Sequence, residues 1–252
     1  MDSLFSLAGK TAVITGCATG IGQGLAVGLA KAGADIIALD IADLEDTRQK
    51  VTGLGRVCGC YHVDLADSHS IDTAWNALLS DFKTVDILFN NAGMQYRASA
   101  FEYPEAMFDK IVAVNLKAAY LLSQKAARHF QSRGCPGKII NTASLFTTFG
   151  GVEVSGYTCT KHGIMGMTKA LSNELAPYGI CVNAIAPGYI QTELTRAIWS
   201  DPERRGPMDA RIPLGRWGTP ADFEGIAVFL ASSASDYITG VMIPVDGGYT
   251  VR

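Results

Sequence analysis

Along the chain, short runs dense in β-branched and other apolar residues alternate with longer segments whose apolar positions recur at helical spacing. The runs are TAVIT (11–15), DIIALD (35–40), RVCGCYHV (56–63), DILFN (86–90), KIINTA (138–143), ICVNAIA (180–186) and VMIPV (241–245), which makes seven strand candidates. Several are apolar at consecutive positions, as strands covered by helices on both faces must be. Between the first two, Ile21, Leu25 and Leu29 form one helical stripe, and the segments near 104–131 and 156–177 read as longer helices. This alternation predicts an α/β fold, a doubly wound, parallel, seven-stranded sheet with helices on both faces. No repeat, low-complexity tract or Gly/Ser linker divides the 252 residues, so 1–252 is expected to be a single domain. Only residues 190–218 break the pattern, with Pro202, Pro207 and Pro213. Because they follow the sixth strand, they are expected to form a lid over the carboxyl ends of the strands, where open α/β sheets bind ligands.

Composition narrows the function. Hydrophobic residues make up 48% and charged residues 18%, a balance that requires a buried core. Lys and Arg number 21 against 24 acids, so no basic field invites nucleic acid or an anionic membrane surface. The six cysteines contain no C-x-x-C pair and the four histidines no ligand-spaced cluster, so neither a disulfide framework nor a metal site is expected. Cys159 and Cys181 read as small core residues, and His162 as a packing residue. The start, MDSLFSLAGKTAVITG, lacks a basic region followed by a long apolar one, and no apolar stretch reaches membrane-spanning length. A soluble, cytoplasmic protein is expected.

The first strand runs into Thr15-Gly16-Cys17-Ala18-Thr19-Gly20-Ile21-Gly22 and then into a helix. In that setting Gly16 would permit a tight turn, Gly20 close approach of backbone N–H groups to a pyrophosphate, and Gly22 close helix packing. Asp40, twenty residues after Gly20 at the end of the second strand, is placed to accept hydrogen bonds from both hydroxyls of an adenosine ribose. Its charge would repel a 2′-phosphate, and neither Cys17 nor Ile41 supplies a cation for one, so NAD(H) is expected over NADP(H). Asp64-Leu65 and Asn90-Asn91-Ala92-Gly93 lie at two more strand ends and could line the adenine and ribose path.

Tyr157 and Lys161 are i, i+4 on a predicted helix and share a face. A fixed cation favours a phenolate, which would make Tyr157 a usable proton carrier near neutral pH. Ser144, at the end of the fifth strand, could hold the substrate oxygen that the phenol protonates or deprotonates.

TGxxxGxG at 15–22, NNAG at 90–93, Ser144, Tyr157-x-x-x-Lys161 and Pro187-Gly188 together resemble the short-chain dehydrogenase/reductase family over nearly the whole chain. The resemblance implies a Rossmann-like domain binding a nicotinamide cofactor, with Tyr157 as acid–base, Ser144 stabilising the substrate oxygen, and Lys161 as ribose ligand and electrostatic partner. It implies that Asn115 completes a tetrad by holding a water that links Lys161 to solvent, that Pro187, Gly188 and Ile190 border the nicotinamide, and that Thr192 bonds its carboxamide. It also implies a homotetramer built partly from the two long, apolar helices. Within the family, ITGCATGIGQG, GKIINTAS, NAIAPGY, RIPLGRWGTP and FLASSASDYITG with VDGGY are similar to the 2-deoxy-D-gluconate 3-dehydrogenases, also called 2-dehydro-3-deoxy-D-gluconate 5-dehydrogenases. That similarity implies oxidation of a hydroxyl, or reduction of the ketone, on a deoxy sugar acid.

A sugar acid needs a cation for its carboxylate. Arg97, four residues after NNAG, is favoured, with Arg204 or Arg205 second and Arg196 and Arg211 also beside the insertion. Gln95, Phe146 and Tyr189 are candidate pocket walls. The alternatives are a reductase of another small ketone or of 3-ketoacyl groups, a nucleotide-sugar epimerase or dehydratase, and a nucleotide-sensing protein without chemistry. Asp40 opposes the ketoacyl reading. The G-x-x-x-G-x-G spacing and the short tail oppose the epimerase, and the intact tetrad opposes the sensor.

Overall fold

The computed structural model describes residues 4–252. Its elements are β1 (Thr11–Thr15), α1 (Gly20–Lys31), β2 (Asp35–Asp40), α2 (Glu45–Thr52), β3 (Cys58–His62), α3 (Ser68–Phe82), β4 (Ile87–Asn90), α4 (Glu105–Val112), α5 (Ala118–Ser132), β5 (Gly137–Thr142), α6 (Ser155–Leu175), β6 (Ile180–Pro187), α7 (Arg196–Trp199), α8 (Pro202–Asp209), α9 (Glu224–Ala231) and β7 (Met242–Val245). The seven strands form one parallel sheet in the order β3-β2-β1-β4-β5-β6-β7. The predicted architecture is observed, each strand within two residues of its expected limits.

β1, β5 and β6 are buried along their whole length, which is why their sequences are apolar on both faces. One core packs α1, α2 and α9 on one side of the sheet through Leu25, Leu29, Val51, Phe223 and Leu230. The other packs α3, α5 and α6 on the opposite side through Ile71, Leu78, Leu122 and Phe130, with Leu171 and Leu175 against it. Strand order reverses between β1 and β4, where the chain leaves β1 for α1 and β4 for the loop before α4. A crevice opens there, above the carboxyl ends.

The segment expected as one helix over 104–131 is two, α4 and α5, joined by a π-helical turn at Ala113–Lys117. The insertion folds as a 3₁₀ turn at Glu193–Thr195 followed by α7 and α8. Among the described residues no helix is long and apolar enough to cross a membrane. Cys181 is buried as expected, whereas Cys159 is exposed, because two residues on from Tyr157 it lies on the opposite side of α6 from the face that Tyr157 and Lys161 share. His162 is likewise exposed and takes up only the Thr158 carbonyl of its own helix, at 3.0 Å.

Candidate active site

A cavity of about 530 Å³ occupies the crevice. Gly16, Thr19, Gly20, Ile21 and Gly22 form one wall, Asp40, Asp64 and Leu65 one end, and Asn91, Ala92 and Gly93 the floor. Ser144, Tyr157 and Lys161 stand toward the other end with Pro187, Gly188, Ile190 and Thr192.

The glycine wall is sterically determined. Gly16 and Gly20 have φ of +66° and +59°, values that favour glycine. A Cβ on Gly16 would also meet the Ala92 backbone at 2.6 Å, and one on Gly22 would collide with the Gly16 carbonyl and stand 2.6 Å from Asn91 Nδ2. Asn91 holds the turn, donating to the carbonyls of Thr15 (3.1 Å) and Gly16 (2.9 Å). Thr15 Oγ1 accepts from the amides of Asn91 and Ala92, both at 3.0 Å. Asp40 is fixed by two backbone donors, Ala18 N–H to Oδ2 at 2.9 Å and Ala42 N–H to Oδ1 at 3.0 Å. A carboxylate has about four acceptor sites, so capacity remains for ribose hydroxyls. The α2 cations near it are engaged elsewhere: Arg48 is held in a forked ion pair by Glu45, and Lys50 by Asp46.

At the other end, Ser144 caps the 3₁₀ turn Leu145–Thr147, its Oγ accepting from Phe146 N–H at 3.2 Å. Tyr157, in the first turn of α6, stands beside Ser144 in the cavity, and the Ser144 hydroxyl lowers its pKa. The Lys161 ammonium lies 5.4 Å from the Tyr157 ring centre and donates to the Thr142 carbonyl at 2.6 Å. Lys161 is only 3% exposed, and burial pulls its pKa down to about 8. Burial pushes the Tyr157 phenol up, opposed by the Ser144 hydroxyl, which lowers it. In the protein alone, desolvation of the phenol therefore outweighs the lowering expected from the cation.

Asn115 sits in the middle of the π-helical turn, 2% exposed, outside the cavity lining and behind Gly93. Its Oδ1 accepts from Met94 N–H at 2.8 Å, and its Nδ2 donates to the Met94 carbonyl (2.9 Å) and to Thr160 Oγ1 (3.3 Å). The side chain thus ties the floor loop to α6 beside Lys161, and π-turns are frequent where a helix must aim one side chain at a site.

Gln95, Arg97, Phe146 and Tyr189 all reach the cavity. Arg97 is exposed, and its guanidinium has no carboxylate partner among the described residues. Arg204 and Arg205 are not brought there. Both lie on α8, where Arg204 donates to the Ala197 carbonyl at 3.1 Å and Arg205 pairs with Asp209 at 2.7 Å. Arg196 is held by Glu193. Arg211 lies over the Tyr249 ring at 4.4 Å from its centre, and that ring in turn packs against Tyr189.

Sequence reasoning missed Lys110 and Val114, an i, i+4 pair before Asn115, and Leu194 and Ile198, an apolar i, i+4 pair in the insertion, all of which line the cavity. That spacing was visible in the sequence. Also missed was a buried amide network beneath the site. Asn90 donates to Asn141 (2.8 Å) and Ser123 (2.9 Å), and Asn141 to Thr168 (3.0 Å). Among the described residues no group of three or more His, Cys, Asp or Glu could hold a metal.

A family model described as enoyl-(acyl carrier protein) reductase matches residues 16–250. The 2-dehydro-3-deoxy-D-gluconate 5-dehydrogenase of Escherichia coli (strain K12) is 46% identical over 250 residues, 99% of each chain. The Bacillus subtilis (strain 168) protein of the same name is 48% identical over 254 residues, covering 100% of this chain and 99% of its own. Among solved structures, a gluconate 5-dehydrogenase from Burkholderia cenocepacia J2315 in complex with NADP and tartrate is 36% identical with a TM-score of 0.94, covering 100% of this chain and 99% of that one.

Proposed function

The chain belongs to the short-chain dehydrogenase/reductase family, nicotinamide-dependent oxidoreductases of CH–OH groups, and from that premise we propose that it interconverts a hydroxyl and a ketone on a deoxy sugar acid with NAD(H). The observation that carries the substrate class is Arg97, an unpaired guanidinium opening into the cavity that holds Ser144 and Tyr157. The sugar-acid names of its relatives point the same way.

The residues present fit a dinucleotide. The Gly16, Gly20 and Gly22 cradle is one that a single Cβ would fill, and backbone N–H groups at the start of α1 suit a pyrophosphate. Asp64, Leu65 and Asn91 to Gly93 would border the adenosine half, and Pro187, Gly188, Ile190 and Thr192 the nicotinamide. When bound, that group supplies the hydride acceptor or donor. Asp40 would hold the ribose hydroxyls. Its charge, with Cys17 and Ile41 beside it and Arg48 engaged elsewhere, supports NAD(H), although the Burkholderia relative carries NADP.

In the oxidative direction Tyr157 Oη takes the hydroxyl proton of the substrate, while Ser144 Oγ donates a hydrogen bond to the same oxygen as it becomes a carbonyl. The Lys161 ammonium, fixed by Thr142, stabilises the phenolate across a low-dielectric gap. Asn115 holds Met94 and Thr160 so that a proton can leave on the Lys161 side. The six unpaired thiols suit a reducing cytoplasm. The half-exposed aromatic groups of Phe108, Tyr120 and Tyr178 on or beside α4, α5 and α6 suit a homotetramer.

The test is a set of initial rates on deoxy keto sugar acids and matched uncharged ketones, with wild type and Arg97→Ala. A charge-assisted hydrogen bond of about 1.5–3 kcal/mol predicts a rise in KM of roughly 10- to 150-fold for the acids alone. Equal losses on charged and uncharged substrates would exclude Arg97 as the carboxylate partner.

A further inference from the structure

Three of the six cysteines gather near the ribose end of the crevice, and the chemistry above uses none of them. Cys17 is fully buried, its Sγ directed at the carbonyls of Ile14 (3.3 Å) and Leu39 (3.9 Å). Cys58 and Cys60 differ from it. They stand two positions apart on β3, an edge strand, so their side chains leave the same face, Cys58 half-buried and Cys60 exposed. Their Sγ atoms are 3.9 Å apart.

Two reactions are open to such a pair, and the strand geometry separates them. A disulfide needs Cβ atoms about 3.5–4.5 Å apart, whereas same-face neighbours on a strand are about 6.6 Å apart along the chain. Closing that gap would buckle β3 where Ile36, Ile37 and Ala38 pair with Cys58, Gly59 and Cys60. One ion held by both sulfurs makes no such demand. Thiolates bound tetrahedrally at about 2.3 Å stand about 3.8 Å from each other, close to the separation already present.

We propose that Cys58 and Cys60 form a two-thiolate binding site for a single thiophilic cation of the zinc or cadmium class at the free edge of the sheet, water completing the coordination. Two S–H bonds are lost, two metal–sulfur bonds form, both protons go to solvent, and nothing is oxidised or reduced. Soft cations are selected because the pair offers sulfur only. His62 projects from the same face, but among the described residues no third ligand completes a cluster. Burial pushes Cys58 up to about 12 and Cys60 upward, while Arg48 favours the thiolate of each and Glu45 and Asp43 oppose that of Cys60. Binding therefore tightens as pH rises. The site lies just upstream of Val63, Asp64 and Leu65, which line the cavity, so an ion there sits next to the cofactor end of the crevice.

The experiment titrates the reduced, full-length protein with cadmium chloride, reading thiolate-to-cadmium charge-transfer absorbance and stoichiometry by equilibrium dialysis. One ion per chain is expected for wild type. Cys60→Ser, at an exposed position, should lose the absorbance and at least tenfold in affinity with its circular dichroism and unfolding midpoint unchanged. Cys159→Ser, which removes the other exposed thiol, should titrate as wild type. No binding by wild type, an unaltered titration of Cys60→Ser, or loss in Cys159→Ser would each overturn the assignment.

Discussion

Lys161 is a cation held out of water, and the price of holding it can be measured apart from catalysis. Burial lowers its pKa from 10.5 to about 8, while in the unfolded chain the amine keeps its ordinary value. Between those two pH values the unfolded state binds more protons than the folded one, so stability must rise with pH across that window. The slope reaches about 1.4 kcal/mol per unit, and the whole increment is roughly 3 kcal/mol. The same amount is what the charged amine costs the fold at pH 7. Lys161→Met keeps the length and the apolar stem and removes the charge. Against that gain stands the Thr142 carbonyl, which loses its 2.6 Å donor, and a buried orphan of this kind costs about 1–3 kcal/mol. The variant should therefore be inactive yet as stable as wild type at pH 7, or more stable by up to about 2 kcal/mol. The assay is urea unfolding of both proteins at one fixed concentration at pH 7, 8.5 and 10. Other titrating groups cancel in the difference, and any advantage of the variant should fall by roughly 3 kcal/mol toward pH 10. Parallel pH slopes for the two proteins would refute the claim that burial sets the protonation of Lys161.

Three further outcomes follow from the same geometry. Gly22→Ala drives a methyl group into the Gly16 carbonyl and Asn91 Nδ2 and should weaken NADH binding by about tenfold or more, a loss of at least ~1.4 kcal/mol, as read by fluorescence titration; affinity within a factor of two of wild type would show that the turn can give way. Asp40→Ala should raise the ratio of kcat/KM with NADP to that with NAD, because it removes the charge a 2′-phosphate would meet, and an unchanged ratio would shift discrimination to other residues. Tyr157→Phe should abolish turnover while leaving NADH binding intact; residual turnover near the wild-type rate would remove the phenol from the proton path.

Much of this molecule was legible because its signals are local. The apolar runs of β1, β4, β5 and β6 become strands because burial on both faces leaves no polar alternative. The partly covered edge strands β3 and β7 are bounded by their flanking helices and turns, and the spacing of Tyr157 and Lys161 needs only one helical turn to bring them together. What was not legible depends on contacts distant in sequence. The 104–131 segment has an unbroken helical pattern, and its π-turn is seen only once Asn115 finds the Met94 backbone. Arg204 and Arg205 sit within the expected lid, yet α8 turns them toward Ala197 and Asp209, while Arg97 from an irregular loop reaches the cavity. Asn90 and Asn141 read as ordinary strand ends until β4 and β5 pair and place their amides 2.8 Å apart. The phenol of Tyr157 was expected to be lowered by its cation, and only the enclosed cavity reveals the opposing effect of desolvation.

The π-turn at Ala113–Lys117 also sets a limit on how this chain can vary. Such a turn is an α-helix carrying one surplus residue, so removing any one of the five would heal it into a more regular helix. The bulge absorbs that residue, so α4 and α5 would keep their facing relative to one another and only the side chains within the turn would be re-aimed. α4 would stay against α6 and α5 on the sheet, but Asn115, in the middle of the turn, would swing away from Met94 and Thr160. A loss of one codon at this place should therefore leave helical content intact and cost the protein its active site, whereas the same loss in the α8 surface turn should be absorbed. Helicity and function are uncoupled at these five positions.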